Sequence, residues 1–194
     1  MERQIKSKSR VSDFGEVYTA KKQVVGMVDL VPIMNEVATT DLEPACGNGN
    51  FLAEILDRNM ATFNNTNLPF CQLEKLTLLA VSSLYGIDIQ VDNVSECRNR
   101  LYEQVMKRTS AWLPMFRKTL QAVLAHNIIC GNTLTMQAND GNPLVISEWD
   151  IKDNGTAVRK DVLFSDMVAS GGESTQYIKR HYYRWLPIES KKSA

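Results

Sequence analysis

The chain has 194 residues, 44% of them hydrophobic and 23% charged, with 22 basic side chains against 22 acidic ones. That length suits one domain with a real core, and the zero formal charge argues against nucleic-acid binding driven by overall charge, leaving only local patches. Four separated cysteines (Cys46, Cys71, Cys97, Cys130) without a C-x-x-C pair, and only two histidines, argue against a disulfide framework or a zinc cluster. A reducing, cytoplasmic setting is expected. The basic N-terminus lacks an apolar signal-like segment, and no run approaches the roughly 18 apolar residues that span a bilayer, so no membrane partner is expected.

Met1 to Ser12 is polar, with Arg3, Lys6, Lys8 and Arg10. It reads as a flexible, solvated basic arm (residues 1–12), the alternative being a phosphate-contacting arm. D-F-G-E-V-Y-T-A, Asp13 to Ala20, reads as a loop in which Thr19 can N-cap the next segment. Val24, Met27, Val28, Val31 and Met34 recur at helical spacing, giving a helix from about Lys21 to Val31 or Met34, with Pro32 bending or ending it.

The stretch Val37 to Leu52, V-A-T-T-D-L-E-P-A-C-G-N-G-N-F-L, is the most informative in the chain. A short strand runs into Glu43-Pro44, a glycine turn follows, and a helix of about Asn50 to Asn59 begins after it. Strand, glycine turn and helix together form a cradle for a nucleotide-like ligand at a strand end. Downstream, helices are expected at Gln72 to Ser83, Gln90 to Arg108 and Trp112 to Ala125. Strands are expected at Leu84 to Ile89, closing on Asp88, and at Asn127 to Cys130, before Gly131-Asn132. Leu144 to Trp149 alternates weakly, Asn154-Gly155 is a turn, and Asp161 to Phe164 is a last buried strand. The tail from Ala169 ends in a basic aromatic run, Y-I-K-R-H-Y-Y-R-W. This run suits either base stacking with phosphate contact or packing over the sheet.

Strands alternating with helices predict a mostly parallel, doubly wound sheet flanked by helices. Glu43, Asp88 and Asn132 then share the carboxyl edge of that sheet, where ligands bind. A carboxylate at the second strand end suits a ribose diol, because it accepts from two adjacent hydroxyls.

Four stretches in order, D-F-G-E-V-Y-T-A, L-E-P-A-C-G-N-G-N-F-L, Y-G-I-D-I and I-I-C-G-N-T-L, resemble consecutive motifs of the adenine-specific amino-methyltransferases of DNA found in restriction-modification systems. The resemblance covers roughly Asp13 to Met167. It implies a Rossmann-like methyltransferase fold over 13–168, incomplete at its C-terminal side, and S-adenosylmethionine as cofactor. On this reading Phe14, Gly15, Tyr18 and Thr19 cover the methionine end, with Thr19 near its carboxylate. Glu43, Pro44, Ala45, Cys46, Gly47, Asn48 and Gly49 cradle the methionine moiety, with Phe51 beside them. Asp88 takes the ribose hydroxyls, Ile89 packs on the adenine, and Asn132, followed by Thr133, offers an amide oxygen to the adenine amino group.

The family's catalytic signature, an Asn or Asp followed by two prolines and an aromatic, is not matched. The corresponding strand D-V-L-F-S leads into Asp166-Met167-Val168-Ala169, which retains only the acid, so Asp166 is the candidate contact for the target amine. Gly141-Asn142-Pro143-Leu144 imitates the signature but precedes the strand. The resemblance implies DNA as partner and methyl transfer to the exocyclic amine of adenine, in a restriction-modification or phage-defence setting. The alternative is a catalytically silent module that binds cofactor or a partner. A sheet ending at the fourth strand would leave an edge, which the tail (169–194), a second copy or a partner protein is expected to cover.

Overall fold

A computed structural model describes residues 5–31, 39–63, 67–108, 113–171 and 177–187. Helix α1 spans Lys8–Phe14, capped by the Ser7 hydroxyl, which accepts from Arg10 N at 3.1 Å. Helix α2 is Lys21–Val28, strand β1 is Asp41–Glu43, and α3 is Asn50–Ala61. Then come α4 (Phe70–Ser82), β2 (Leu84–Asp88), α5 (Val91–Met106), α6 (Pro114–Asn127) and β3 (Ile128–Asn132). The chain closes with β4 (Gln137–Ala138), β5 (Val145–Ile151), β6 (Thr156–Leu163), α7 (Phe164–Ala169) and β7 (Lys179–Arg184).

The result is a mixed α/β protein with a mostly parallel sheet flanked by helices, compatible with a Rossmann-like fold. Strands β1, β2 and β3 are parallel and adjacent in chain order, with Glu43 opposite Gly86 and Asp88 opposite Cys130. Strand β4 adds antiparallel to β3. Each parallel step is bridged by a helix pair, α3–α4 and then α5–α6, as parallel strands require. The apolar stripes of these four helices form the main core, including Leu52, Leu56, Leu78, Leu101, Phe116 and Leu120. Among the described residues no helix is long and apolar enough to cross a membrane.

Three expectations are corrected. First, Asp161 to Phe164 is not a fourth parallel strand. Residues 161–163 end β6, which pairs antiparallel with β5 and β7 in a separate three-stranded sheet, while Phe164 opens α7. The reason is local. Asn154-Gly155, with Gly155 at φ 79°, closes a hairpin between two alternating runs, and a short loop costs less closure entropy than a long crossover. This second sheet packs on the parallel one through Ile87 and Ile129, met by Leu144, Ile146, Val162 and Phe164.

Second, the tail is not separate beyond 169. Its basic aromatic run becomes β7, and Trp185 is 1% exposed in the main core. Strand β6 therefore has β5 on one side and β7 on the other, so of the tail, a second copy or a partner, it is the tail that pairs along that strand.

Third, the basic arm is not free where it is described. Lys6 Nζ lies 2.8 Å from Asp92 Oδ2 and 2.7 Å from Glu96 Oε1, and Arg10 pairs with Asp92 at 2.5 Å. Asp92 and Glu96 stand one turn apart on α5, so they face the arm as a pair. Arg10, and then Lys6, hold the Asp92 carboxyl well below the usual carboxylate range. Two smaller differences concern α2. It ends at Val28, while Pro32 and Met34 lie outside the described residues, and Ala20 rather than Thr19 is its N-cap.

Candidate functional site

A cavity of about 640 Å³ opens at the carboxyl ends of β1, β2 and β3. Its walls are the α1–α2 loop, the β1–α3 glycine turn, the end of β2 and the loop after β3.

The turn is built from the sheet outward. Cys46 N donates to Ile87 O at 2.9 Å, carrying the parallel ladder one step past β1, and Gly49 N donates to Cys46 O at 2.9 Å. Gly47 and Gly49 both sit in the left-handed region, at φ 52° and 84°, which a β-carbon disfavours. Their surroundings differ. A β-carbon at Gly47 would meet the Tyr18 ring at an ordinary 3.4 Å, while one at Gly49 would lie 2.6 Å from Cys97 Sγ. Gly49 is thus a packing position against α5. It is also the one expected cofactor-contact residue that does not line the cavity.

Asp88 locks the turn to β2. Its Oδ2 accepts from Gly47 N at 2.9 Å, and its Oδ1 accepts from Gln90 N at 2.8 Å and Asn93 Nδ2 at 3.2 Å. A carboxylate has about four acceptor positions, so protein donors fill three and one remains on Oδ2. Asn93, buried and absent from the sequence reading, is the hub behind the wall. It donates to Glu16 Oε2 at 2.9 Å as well as to Asp88, and accepts from Tyr18 Oη at 2.8 Å and Lys6 Nζ at 2.9 Å. Both donors and both acceptor positions of its amide are used, so this buried polar group is fully satisfied.

The other expected residues fall as follows. Phe14, Gly15, Tyr18 and Thr19 line the α1–α2 loop side. Thr19 presents its carbonyl to Asn50 Nδ2 at 2.9 Å, and Arg100 holds the other end of that amide. Glu43, Pro44, Ala45, Cys46, Gly47, Asn48 and Phe51 line the turn side, with Glu43 Oε1 accepting from Ala45 N at 3.3 Å. Ile89 lies at the mouth. Thr133 Oγ1 donates to Pro44 O at 2.6 Å, tying the β3 loop to the turn. Asn132 lines the cavity, but its side-chain oxygen accepts from Leu134 N at 2.9 Å and Thr135 N at 3.3 Å. Those bonds fill the lone pairs expected to receive an adenine amino group, leaving the amide N–H₂ as its free function.

Asp166 is not part of this site. It is exposed in the first turn of α7 and does not line the cavity. The Gly141 to Leu144 run closes the β4 turn, where Ala138 N donates to Asn142 O at 2.8 Å. Cys46 is no nucleophile, since the adjoining Cys97 thiol and burial push its thiol well above the ordinary range. His126 and His181 lie on the second-sheet side, against Arg159 and Asp161 respectively.

Charge decides what the cavity suits. Among the described residues three carboxylates line it, from Glu16, Glu43 and Asp88, and no lining residue is Lys, Arg or His. Arg10 approaches Glu16 at 2.6 Å but does not line the cavity. Glu16 Oε1 and Asn48 Oδ1 are shielded acceptors without a donor among the described residues. A more open groove of about 710 Å³ along α3 and α5 carries charged side chains of both signs and no strand ends. Among the described residues no cluster of His, Cys, Asp or Glu could hold a metal ion. Comparison with protein-family models, curated proteins and solved structures finds no match for this chain.

Proposed function

We propose that this chain is an S-adenosylmethionine-binding module of the adenine-specific DNA methyltransferase type. The observation that carries the reading is the charge of the cavity at the parallel strand ends. Glu43 and Asp88, without a lining cation among the described residues, disfavour a di- or triphosphate and favour a nucleoside that bears positive charge, while Glu16 is paired with Arg10. S-adenosylmethionine has a sulfonium and an ammonium group, and when bound it supplies an electrophilic methyl group.

The chain's own residues account for holding it. Glu43 Oε2 has no hydrogen-bonding partner among the described residues and can accept from an ammonium group. Asp88 keeps one acceptor position for a hydroxyl. The N–H groups at the start of α3 face a carboxylate favourably through the helix dipole. Phe51 and Ile89 supply apolar surface. Methyl transfer to an adenine amine, as part of a restriction-modification or phage-defence system, is the wider setting that the sequence resemblance suggests. One observation favours a binding module over a self-sufficient enzyme: Asp166, the remnant of the catalytic signature, stands outside the cavity.

Calorimetry tests the cofactor. S-adenosylmethionine should bind, more tightly than S-adenosylhomocysteine by on the order of tenfold because only the former is a sulfonium, and ATP should not bind. Glu43→Gln should weaken binding. No heat at millimolar S-adenosylmethionine, or tighter binding of ATP, overturns the reading. Labelled methyl transfer to adenine-containing DNA should be absent for the chain alone. Robust transfer would overturn the module reading and leave the cofactor reading standing.

A further inference from the structure

We propose that the solvent face of β6 and β7 is a contact surface for single-stranded DNA, a function independent of the cofactor reading. Arg180, Tyr182 and Arg184 alternate along β7, so they project from one face at about 7 Å intervals. The register sets Lys160 of β6 opposite Arg180, and Val158 opposite Tyr182. The partner residues of the other parity, His181 and Tyr183, sit opposite Arg159 and Ala157 and pack inward, with Tyr183 against Trp149 at 5.3 Å between ring centroids. On this face Val158 is buried, while Arg180, Tyr182 and Arg184 are exposed.

That composition stands apart from the rest of the surface. The protein is neutral, and many of its cations are consumed internally: Lys6, Arg10, Arg58, Lys75 and Arg108 all make ion pairs. Lys160, Arg180 and Arg184 make none among the described residues. Between them stand two aromatics. Tyr182 is 71% exposed, an unusual cost in apolar surface for an edge strand. Tyr177 is flanked by Lys160 Nζ at 4.9 Å and Arg180 Cζ at 5.5 Å from its ring centroid. Glu148 of β5, opposite Lys160, marks where the positive surface ends. Cations to track a phosphate backbone, with an exposed ring between them, are what an unpaired strand needs, because its bases are free to stack. A duplex offers no free base face to Tyr182.

The test is fluorescence anisotropy of the whole chain with a labelled single strand of about 20 nucleotides, long enough to exceed an ordinary site. Binding should weaken steadily as salt rises. The pair Arg180→Glu, Arg184→Glu should lose at least roughly tenfold in affinity, and Tyr182→Ala about fivefold or more. The pair Lys107→Glu, Lys118→Glu, an equal charge change away from this sheet, should have little effect, and S-adenosylmethionine affinity should be unchanged throughout. The proposal is overturned if the wild-type chain does not bind the strand at low salt, or if the Arg pair binds like wild type. It is also overturned if the Lys107, Lys118 pair causes an equal loss, or if Tyr182→Ala is silent while duplex binds as tightly. Thermal melting of each variant separates loss of contact from loss of fold.

Discussion

Replacing Gly49 by alanine separates two reasons for a glycine in the turn. At φ 84° an L side chain costs about 1–2 kcal/mol. The new β-carbon would also lie 2.6 Å from Cys97 Sγ, 3.2 Å from its Cβ and 3.4 Å from its Cα. Cys97 is fully buried in the main core, so neither side can yield freely. Overpacking of that kind costs about 1–3 kcal/mol. The sum is about 2–5 kcal/mol, a large part of an ordinary domain's 5–15 kcal/mol, here taken as roughly the range. Gly47→Ala carries the same backbone penalty, but meets only the edge of the Tyr18 ring at 3.4 Å, so about 1–2 kcal/mol is expected. Cys97→Ala removes the closest atom. Combined with Gly49→Ala it should recover about 1 kcal/mol or more relative to the sum of the two single changes. Urea unfolding followed by circular dichroism measures all four variants. Equal losses for Gly47→Ala and Gly49→Ala, or strict additivity with Cys97→Ala, would refute the packing role assigned to Gly49.

Three further outcomes are expected. Asp88→Asn places an amide where Gly47 N or Gln90 N needs an acceptor, so it should cost about 2–3 kcal/mol in urea unfolding and weaken S-adenosylmethionine in calorimetry; unchanged stability would remove Asp88 as the lock of the turn. Glu74 is fully buried, with one oxygen accepting from Leu113 N at 3.2 Å and the other without a partner among the described residues, and burial raises its pKa. An acid whose folded pKa is raised contributes stability that is present at low pH and lost as pH rises through the folded value, so Glu74→Gln should raise the melting temperature at pH 8 and flatten its dependence on pH in thermal scans. Asp92 has the opposite sign: its pKa is depressed, so its contribution is present above the ordinary carboxylate range and lost as pH falls through the depressed value. Its side chain is 46% exposed, so Asp92→Asn should cost below about 1 kcal/mol, yet hydrogen exchange in α1 should quicken as the Lys6 and Arg10 pairs are lost.

The parallel half of the fold was legible because its signals are local and redundant. Helical apolar spacing, a glycine turn and short apolar strands recur twice between Asp41 and Asn132, and each step requires the next. The second sheet was not read for a physical reason. D-V-L-F is as apolar as a parallel strand, and nothing within it distinguishes a central antiparallel strand from a buried parallel one. The deciding information lies outside it, in the Asn154-Gly155 hairpin and in a tail whose Lys179 to Arg184 pairs with β6. An edge strand tolerates such residues because one face and one edge remain in water.

The site shows a different division. Residue types predict which groups gather at a strand end, but not which of their lone pairs remain free. Asp88 and Asn132 both reach the cavity, yet protein N–H groups take three positions on the first and both on the second. Asn93 and Arg10, which orient Asp88 and Glu16 from behind, lie on helices whose spacing marks only their apolar stripes. A buried amide that bonds four groups from three separate segments leaves no periodic trace. Asn93→Ala therefore tests the architecture more sharply than any lining residue. It removes one hydrogen bond from each of Glu16, Tyr18, Asp88 and Lys6 at once, and a buried group left unsatisfied costs about 1–3 kcal/mol. It should lower both stability and S-adenosylmethionine affinity, without touching the ligand. Stability loss with unchanged affinity would mean that the α1–α2 loop closes the cavity without helping to bind.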